Sequence, residues 1–133
     1  MELDELLQVG GPISPSDATR LIDAGADALD AGDAERALGY FWRAAGSGEL
    51  ALAGRAAIGA AEALVRLSRD GEAVELLQGA LTSSDREVRF VARRRLAVLH
   101  VTAGRLPQAL GEYQRAERDA PNESARAEVA ARI

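Results

Sequence analysis

Few residues in this chain could do chemistry, and their types narrow what chemistry is open to it. Cysteine is absent, which excludes disulfides, thiolate metal sites and cysteine nucleophiles. His100 is the only histidine, so a site that needs two imidazoles is excluded as well. All 16 basic residues are arginine; without lysine there is neither Schiff-base chemistry nor a P-loop lysine. Carboxylates do recur at helical spacing, Asp23 with Asp27 and Asp27 with Asp30, which makes one face of a helix acidic. A glycosidase-style acid/base pair would need an apolar pocket to raise one pKa, and this alanine-rich surrounding suggests none. That face reads as solvated, with the acidic end of a ligand groove as the alternative. His100 lies among Leu96, Val98, Leu99 and Val101 and reads as a packed, hydrogen-bonded core histidine. The expectation is a protein with no enzyme activity, no metal and no cofactor.

One cluster runs against the overall sign of charge: Arg86, Arg89, Arg93, Arg94 and Arg95, spread over more than one face of a single helix. Salt-bridged or solvated arginines are the expected reading, with Glu87 and neighbouring acidic helices as partners. A docking patch for an acidic peptide is the alternative. With 21 acidic against 16 basic residues the net charge is −5, the wrong sign for general binding to a phosphate backbone. Nucleic acid is therefore not expected as a partner. The longest stretch without a charge, residues 6–16, carries two prolines and two glycines, whereas a bilayer span needs about 20 apolar residues. The start Met1-Glu2-Leu3-Asp4-Glu5 lacks the basic-then-apolar pattern of a secretory signal. A soluble, cytoplasmic protein without a membrane partner is expected.

The elements that must position these residues are helices. Alanine supplies 28 of the 133 residues and leucine 17, against only five aromatics. These are strong helix formers, as are Arg and Glu, and no long stretch alternates apolar and polar residues. Residues 1–16 form an arm punctuated by Gly10-Gly11-Pro12 and Pro15, expected either to be flexible or to pack against an exposed edge of the stack, with room for one helical turn over Leu3–Leu7. Its leucines, 3, 6 and 7, make a small apolar stripe for which Trp42 is a candidate contact. Helices are then predicted over about 14–31, 34–45, 50–68, 72–81, 85–103, 107–119 and 123–133. Gly32, Gly46-Ser47-Gly48, Gly71 and Gly104 stand at their ends, Ser84-x-x-Glu87 reads as a capping box for the fifth, and Asn122 as an N-cap for the seventh. Connections this short make neighbouring helices antiparallel.

A shift of 36 residues superimposes Ala37, Ala73 and Ala109; Phe41, Leu77 and Tyr113; and Ala44, Ala80 and Ala116. The same shift aligns the small residues Gly25, Ala61 and Ala97 and the aliphatic residues Leu29, Val65 and Val101. Small residues at matched positions let helix backbones approach, and bulky ones fill the space between. One helix pair cannot bury its apolar face, but stacked pairs share a continuous core.

This pattern resembles the tetratricopeptide repeat over about residues 17–133. The first repeat supplies Gly25, Gly32, Ala37, Phe41 and Ala44, and the third Ala97, Gly104, Ala109, Tyr113, Ala116 and Pro121. In the second, Leu77 replaces the aromatic and Ser68 stands where the turn glycine usually does. The resemblance implies an all-α, right-handed α-solenoid of antiparallel helix pairs with about seven helices. Its repeats would be about 17–49, 50–84 and 85–121, closed by a capping helix at 122–133.

Carrying over the family's groove positions implies a peptide-binding wall. It would be made of Thr19, Ile22, Ala26 and Asp30 from the first repeat, Arg55, Ile58, Glu62 and Arg66 from the second, and Val91, Arg94, Val98 and Thr102 from the third. Ile22, Ile58, Val91 and Val98 would form an aliphatic floor, with Arg55, Arg66 and Arg94 as anchors for a carboxylate. Ala26 and Glu62 stand where the chaperone-binding subfamily has asparagines, so its C-terminal carboxylate ligand is not expected. The functional expectation is a non-catalytic module that binds a protein or peptide carrying acidic groups. The alternative is a structural self-association domain, a homodimer being its simplest form.

Overall fold

Helix starts and stops in this chain are set by short side chains and by three left-handed turns. In the computed structural model, which describes all 133 residues, they delimit eight helices and no strand. These are α1 (Leu3–Gln8), α2 (Pro15–Asp30), α3 (Ala34–Ala44), α4 (Leu50–Arg66), α5 (Asp70–Ala80), α6 (Arg86–Thr102), α7 (Leu106–Asp119) and α8 (Glu123–Ala130). None of them is long and apolar enough to cross a membrane.

Ser14 Oγ accepts from the Asp17 amide at 3.1 Å, and Pro15 occupies the first turn of α2, where a missing N–H costs nothing. Asp33 and Asn122 cap α3 and α8 in the same way. The capping box read at Ser84 is displaced by one residue. Asp85 is the N-cap of α6, its Oδ1 accepting from the Val88 amide at 3.1 Å, while Ser83 Oγ accepts from the Asp85 amide. A carboxylate at the positive end of a helix outcompetes the neighbouring hydroxyl.

The turns after α2, α4 and α6 share one geometry. Gly32, Ser68 and Gly104 all have positive φ, at 80°, 61° and 78°. In each, the next amide reaches back six residues inclusive to a helix carbonyl: Asp33 to Ala28, Arg69 to Leu64 and Arg105 to His100, all at 2.8 Å. This is the Schellman arrangement, and it recurs every 36 residues. Ser68 adopts the same left-handed conformation as the two glycines despite carrying a Cβ.

The chain divides into two compact units, Met1–Leu76 and Leu77–Ile133. In the first, α3 packs on both α2 and α4, and α2 packs on α4. Leu21, Phe41 and Leu64 are buried at 0%, 3% and 1% exposure. The Phe41 ring occupies the place where Gly25 and Gly59 have no side chain: a Cβ at Gly25 would lie 2.6 Å from Phe41 Cζ, and one at Gly59 closer still to the ring. Of the two expectations for the arm, the packed one matches the structure: it forms α1 and lies on α2 and α3 with Leu6 buried. Arginines hold it. Arg43 Nε donates to the Leu6 carbonyl at 2.7 Å, Arg20 Nη1 to the Met1 carbonyl at 2.8 Å, and Arg36 stands 3.9 Å from Asp4. The hydrogen bond from α3 thus comes from Arg43, while Trp42 is half-exposed.

In the second unit, α7 packs on α6 and α8. Phe90, Ala97, Tyr113, Ala116, Ala120 and Val129 make one buried cluster, with Val91 and Ala125 against it. The aligned alanines 37, 73 and 109 are all buried, as are Phe41, Leu77 and Tyr113. Val101 departs from its aligned partner: Leu29 is buried, whereas Val101 is 47% exposed. Helix α8 has only 8 residues against 17 in α6, and so leaves the last turns of α6 uncovered.

Candidate interaction surface

The residues expected to line a groove fall into both units. In the first, α2 presents Thr19, Ala26 and Asp30 to solvent, together with Asp23 and Asp27. Thr19 Oγ1 donates to the Pro15 carbonyl at 2.9 Å, which leaves its oxygen lone pairs outward. Ile22 and Ile58, expected as ligand floor, are buried at 7% and 9% exposure. They complete the interior because they continue the apolar stripes of α2 and α4, and so offer a ligand no surface.

The two arginines of α4 differ. Arg66 Nη1 donates to the Leu29 carbonyl at 2.7 Å, and its Nη2 pairs with Glu62 Oε1 at 3.2 Å. It thereby satisfies a carbonyl near the C-terminal end of α2, where a cation also meets the negative end of the helix dipole. Arg55 is exposed and forms no ion pair. Of the two, Arg55 is the one open to an incoming carboxylate.

In the second unit the arginine cluster is largely spent on internal pairs, as the salt-bridged reading expects. Arg89 Nη2 meets Asp119 Oδ1 at 3.4 Å and Arg93 Nε meets Asp119 Oδ2 at 3.2 Å, so one carboxylate joins two arginines. Arg93 Nη1 also reaches Glu112 Oε2 at 3.3 Å, and Glu112 Oε1 holds Arg115 at 3.1 Å. Arg94, expected as an anchor, pairs with Glu128 of α8 at 2.9 Å and lies over the Phe90 ring at 5.5 Å. Val91 is half-buried against the core cluster, whereas Val98 and Thr102 are exposed. Thr102 Oγ1 donates to the Val98 carbonyl at 3.0 Å.

His100 is half-buried instead of packed in the core. Its Nδ1 accepts from Arg105 Nε at 3.0 Å, so in the neutral ring the proton sits on Nε2. The reason is local: the turn at Gly104 folds Arg105 back over the last turn of α6. Glu62, Arg66 and Arg94 thus have structural work that spacing alone does not disclose. Gly59, which receives the Phe41 ring, carries no signal in the 36-residue register, because its counterparts, Asp23 and Arg95, are not small.

Set against known protein families, curated proteins and solved structures, the chain matches none of them.

Proposed function

We propose that this chain is a non-catalytic protein-interaction module, built as a tetratricopeptide-like right-handed solenoid and working in the cytoplasm. It binds a peptide or partner protein through the exposed faces of α2 and α4 in the first unit. The architectural part is supported by the left-handed turns at residues 32, 68 and 104 and by the matched burial of residues 37, 73 and 109.

The observation that carries the binding part is Arg55: an exposed guanidinium without an ion-pair partner, on α4, which packs beside α2. Guanidinium grips a carboxylate through two parallel N–H donors, so the ligand carries an acidic group there. Thr19, Ala26 and Asp30 on α2 add hydrogen-bonding capacity and a small side chain that lets a peptide backbone approach.

The test is capture of partners from the native host with the wild-type chain and with Arg55→Glu, followed by titration of an identified partner. Charge reversal at Arg55 should weaken affinity by at least about tenfold, roughly 1.4 kcal/mol. The thermal unfolding midpoint should stay in place. Full affinity in the variant would remove this face from consideration. Arg94 is the poorer probe, since a glutamate there would face Glu128.

A further inference from the structure

Three arginines on two helices of the first unit converge on α1. Arg43 Nε donates to the Leu6 carbonyl at 2.7 Å and Arg20 Nη1 to the Met1 carbonyl at 2.8 Å, while Arg36 Nη2 stands 3.9 Å from Asp4 Oδ1. Arg36, Tyr40 and Arg43 follow one another four and three residues apart, so they form one stripe of α3. Tyr40 is buried, and Arg36 both donates to its hydroxyl at 3.0 Å and lies over its ring at 5.4 Å. Leu6 is the buried side chain of α1, at 3% exposure, where α1 packs on α2 and α3. The seat beneath α1 is therefore an apolar notch rimmed by cations.

Helix α1 is poorly equipped to stand alone. It has six residues, no side chain caps its start and no basic residue lies in its last turn, and helices shorter than about 12 residues are marginal in water. The seat supplies what α1 lacks, since Arg43 brings a cation to a carbonyl of that last turn. The tether behind it is loose. Residues 7–12 are all exposed, Gly11 has a φ of 90°, and a Cβ at Gly10 or Gly11 would meet nothing within 4 Å. Two of the three arginine contacts go to main-chain carbonyls, which every helix offers. Selection therefore rests on an apolar side chain at the place of Leu6 and a carboxylate at that of Asp4.

We propose that this seat is a recognition site for an acidic amphipathic helix of a partner protein, and that α1 occupies it as a detachable intramolecular ligand. The partner's chemistry is read from α1 itself: leucines three residues apart with carboxylates between them, as in Leu3-Asp4-Glu5-Leu6. A competing helix has to overcome the effective concentration of a tethered segment, of roughly millimolar order for a short linker, so the arm gates its own site. The inference is independent of the reading in which Arg55 holds a carboxylate. By helical spacing Arg20 stands about 80–120° round α2 from Thr19, Ala26 and Asp30, and Arg36 and Arg43 belong to α3.

Fluorescence anisotropy with a labelled, end-blocked peptide of residues 1–10 tests it on the full chain. Leu6→Glu puts a charge where burial is nearly complete and should release α1. That variant should bind the peptide at least about tenfold more tightly than the wild type, whose site is already filled. Adding Arg43→Glu to Leu6→Glu should remove the binding, and a peptide that itself carries Leu6→Glu should not bind. In the wild type the amides of Leu6 and Val9, which donate to the Glu2 and Glu5 carbonyls, should exchange hydrogen at least about tenfold faster than those in the middle of α2 and α3. Equal affinity of wild type and Leu6→Glu places the peptide elsewhere and overturns the proposal. So does no binding to Leu6→Glu, or binding that survives Arg43→Glu. Exchange of the arm in step with α2 and α3 also overturns it, because α1 is then a fixed part of the unit. A wild type that sediments as a dimer, with a monomeric Leu6→Glu variant, overturns it in favour of α1 exchanged between two copies. Helical circular dichroism checks that the variants fold; Arg43→Gln replaces Arg43→Glu if that one does not.

Discussion

The ring of Phe41 fills the space that Gly59 leaves by having no side chain. Gly59 therefore sets how closely α3 and α4 approach, and Gly25 does the same on the α2 side of that ring. Alanine at residue 59 should overpack the contact at about 1–3 kcal/mol, offset in part by its better helix propensity of about 1 kcal/mol. The expected outcome is a lower thermal unfolding midpoint. In a Phe41→Leu background the further loss from Gly59→Ala should shrink or vanish, since the two residues share one space. Equal losses in both backgrounds would disprove the coupling.

Ala73 is fully buried at the matched position of the middle repeat. Ala73→Leu should cost about 1–3 kcal/mol through displaced neighbours, read as a fall in the denaturant midpoint at unchanged slope.

Ser68 holds a φ of 61° at a place where Gly32 and Gly104 hold 80° and 78°. A left-handed residue with a Cβ costs about 1–2 kcal/mol, of which the greater freedom of unfolded glycine returns about 0.5–1. Ser68→Gly should therefore stabilise the protein by up to about 1 kcal/mol, while Gly32→Ala and Gly104→Ala should each destabilise it. Chemical denaturation of the three variants checks both signs.

Asp119 joins Arg89 and Arg93, with all three side chains between 18% and 26% exposed. Asp119→Asn takes the charge partner from half-buried Arg89 and one of the two from Arg93, which keeps Glu112, and should cost about 1–3 kcal/mol. The loss should depend little on salt, because pairs withdrawn from water are weakly screened. Loss of stability that added salt reproduces in the wild type would point to surface electrostatics instead.

Glu72 is held below the usual carboxylate pKa, first by its hydrogen bond from Arg69 and then by the charge on that group. A carboxyl group depressed in the folded state contributes stability that is fully present above its unfolded pKa. That contribution is lost as pH falls through the folded value. Glu72→Gln should thus narrow the difference in unfolding midpoint between neutral and acid solution, and leave stability in strong acid unchanged.

The helical class, the division into segments and the 36-residue register are all decided by local rules: propensity, capping side chains and the glycines at 32 and 104. These act over a few residues and are legible in the sequence. So is the burial of Ala37, Phe41, Ala109 and Tyr113, because helical spacing puts them on one face. What only the tertiary structure decides is which polar side chains are already engaged. Arg66 turns to a carbonyl on α2, and Arg94 turns to Glu128, because long side chains take acceptors that lie close in space, and these lie 34 to 37 residues away in the chain. Gly59 belongs to the same kind: its lack of a side chain matters only because Phe41 of another helix needs the room. The reach of α8 over α7 is decided in the same way, and it separates a buried Tyr113 from an exposed Leu106 on one helix. Helical periodicity gives both residues nearly the same direction; only packing distinguishes core from surface.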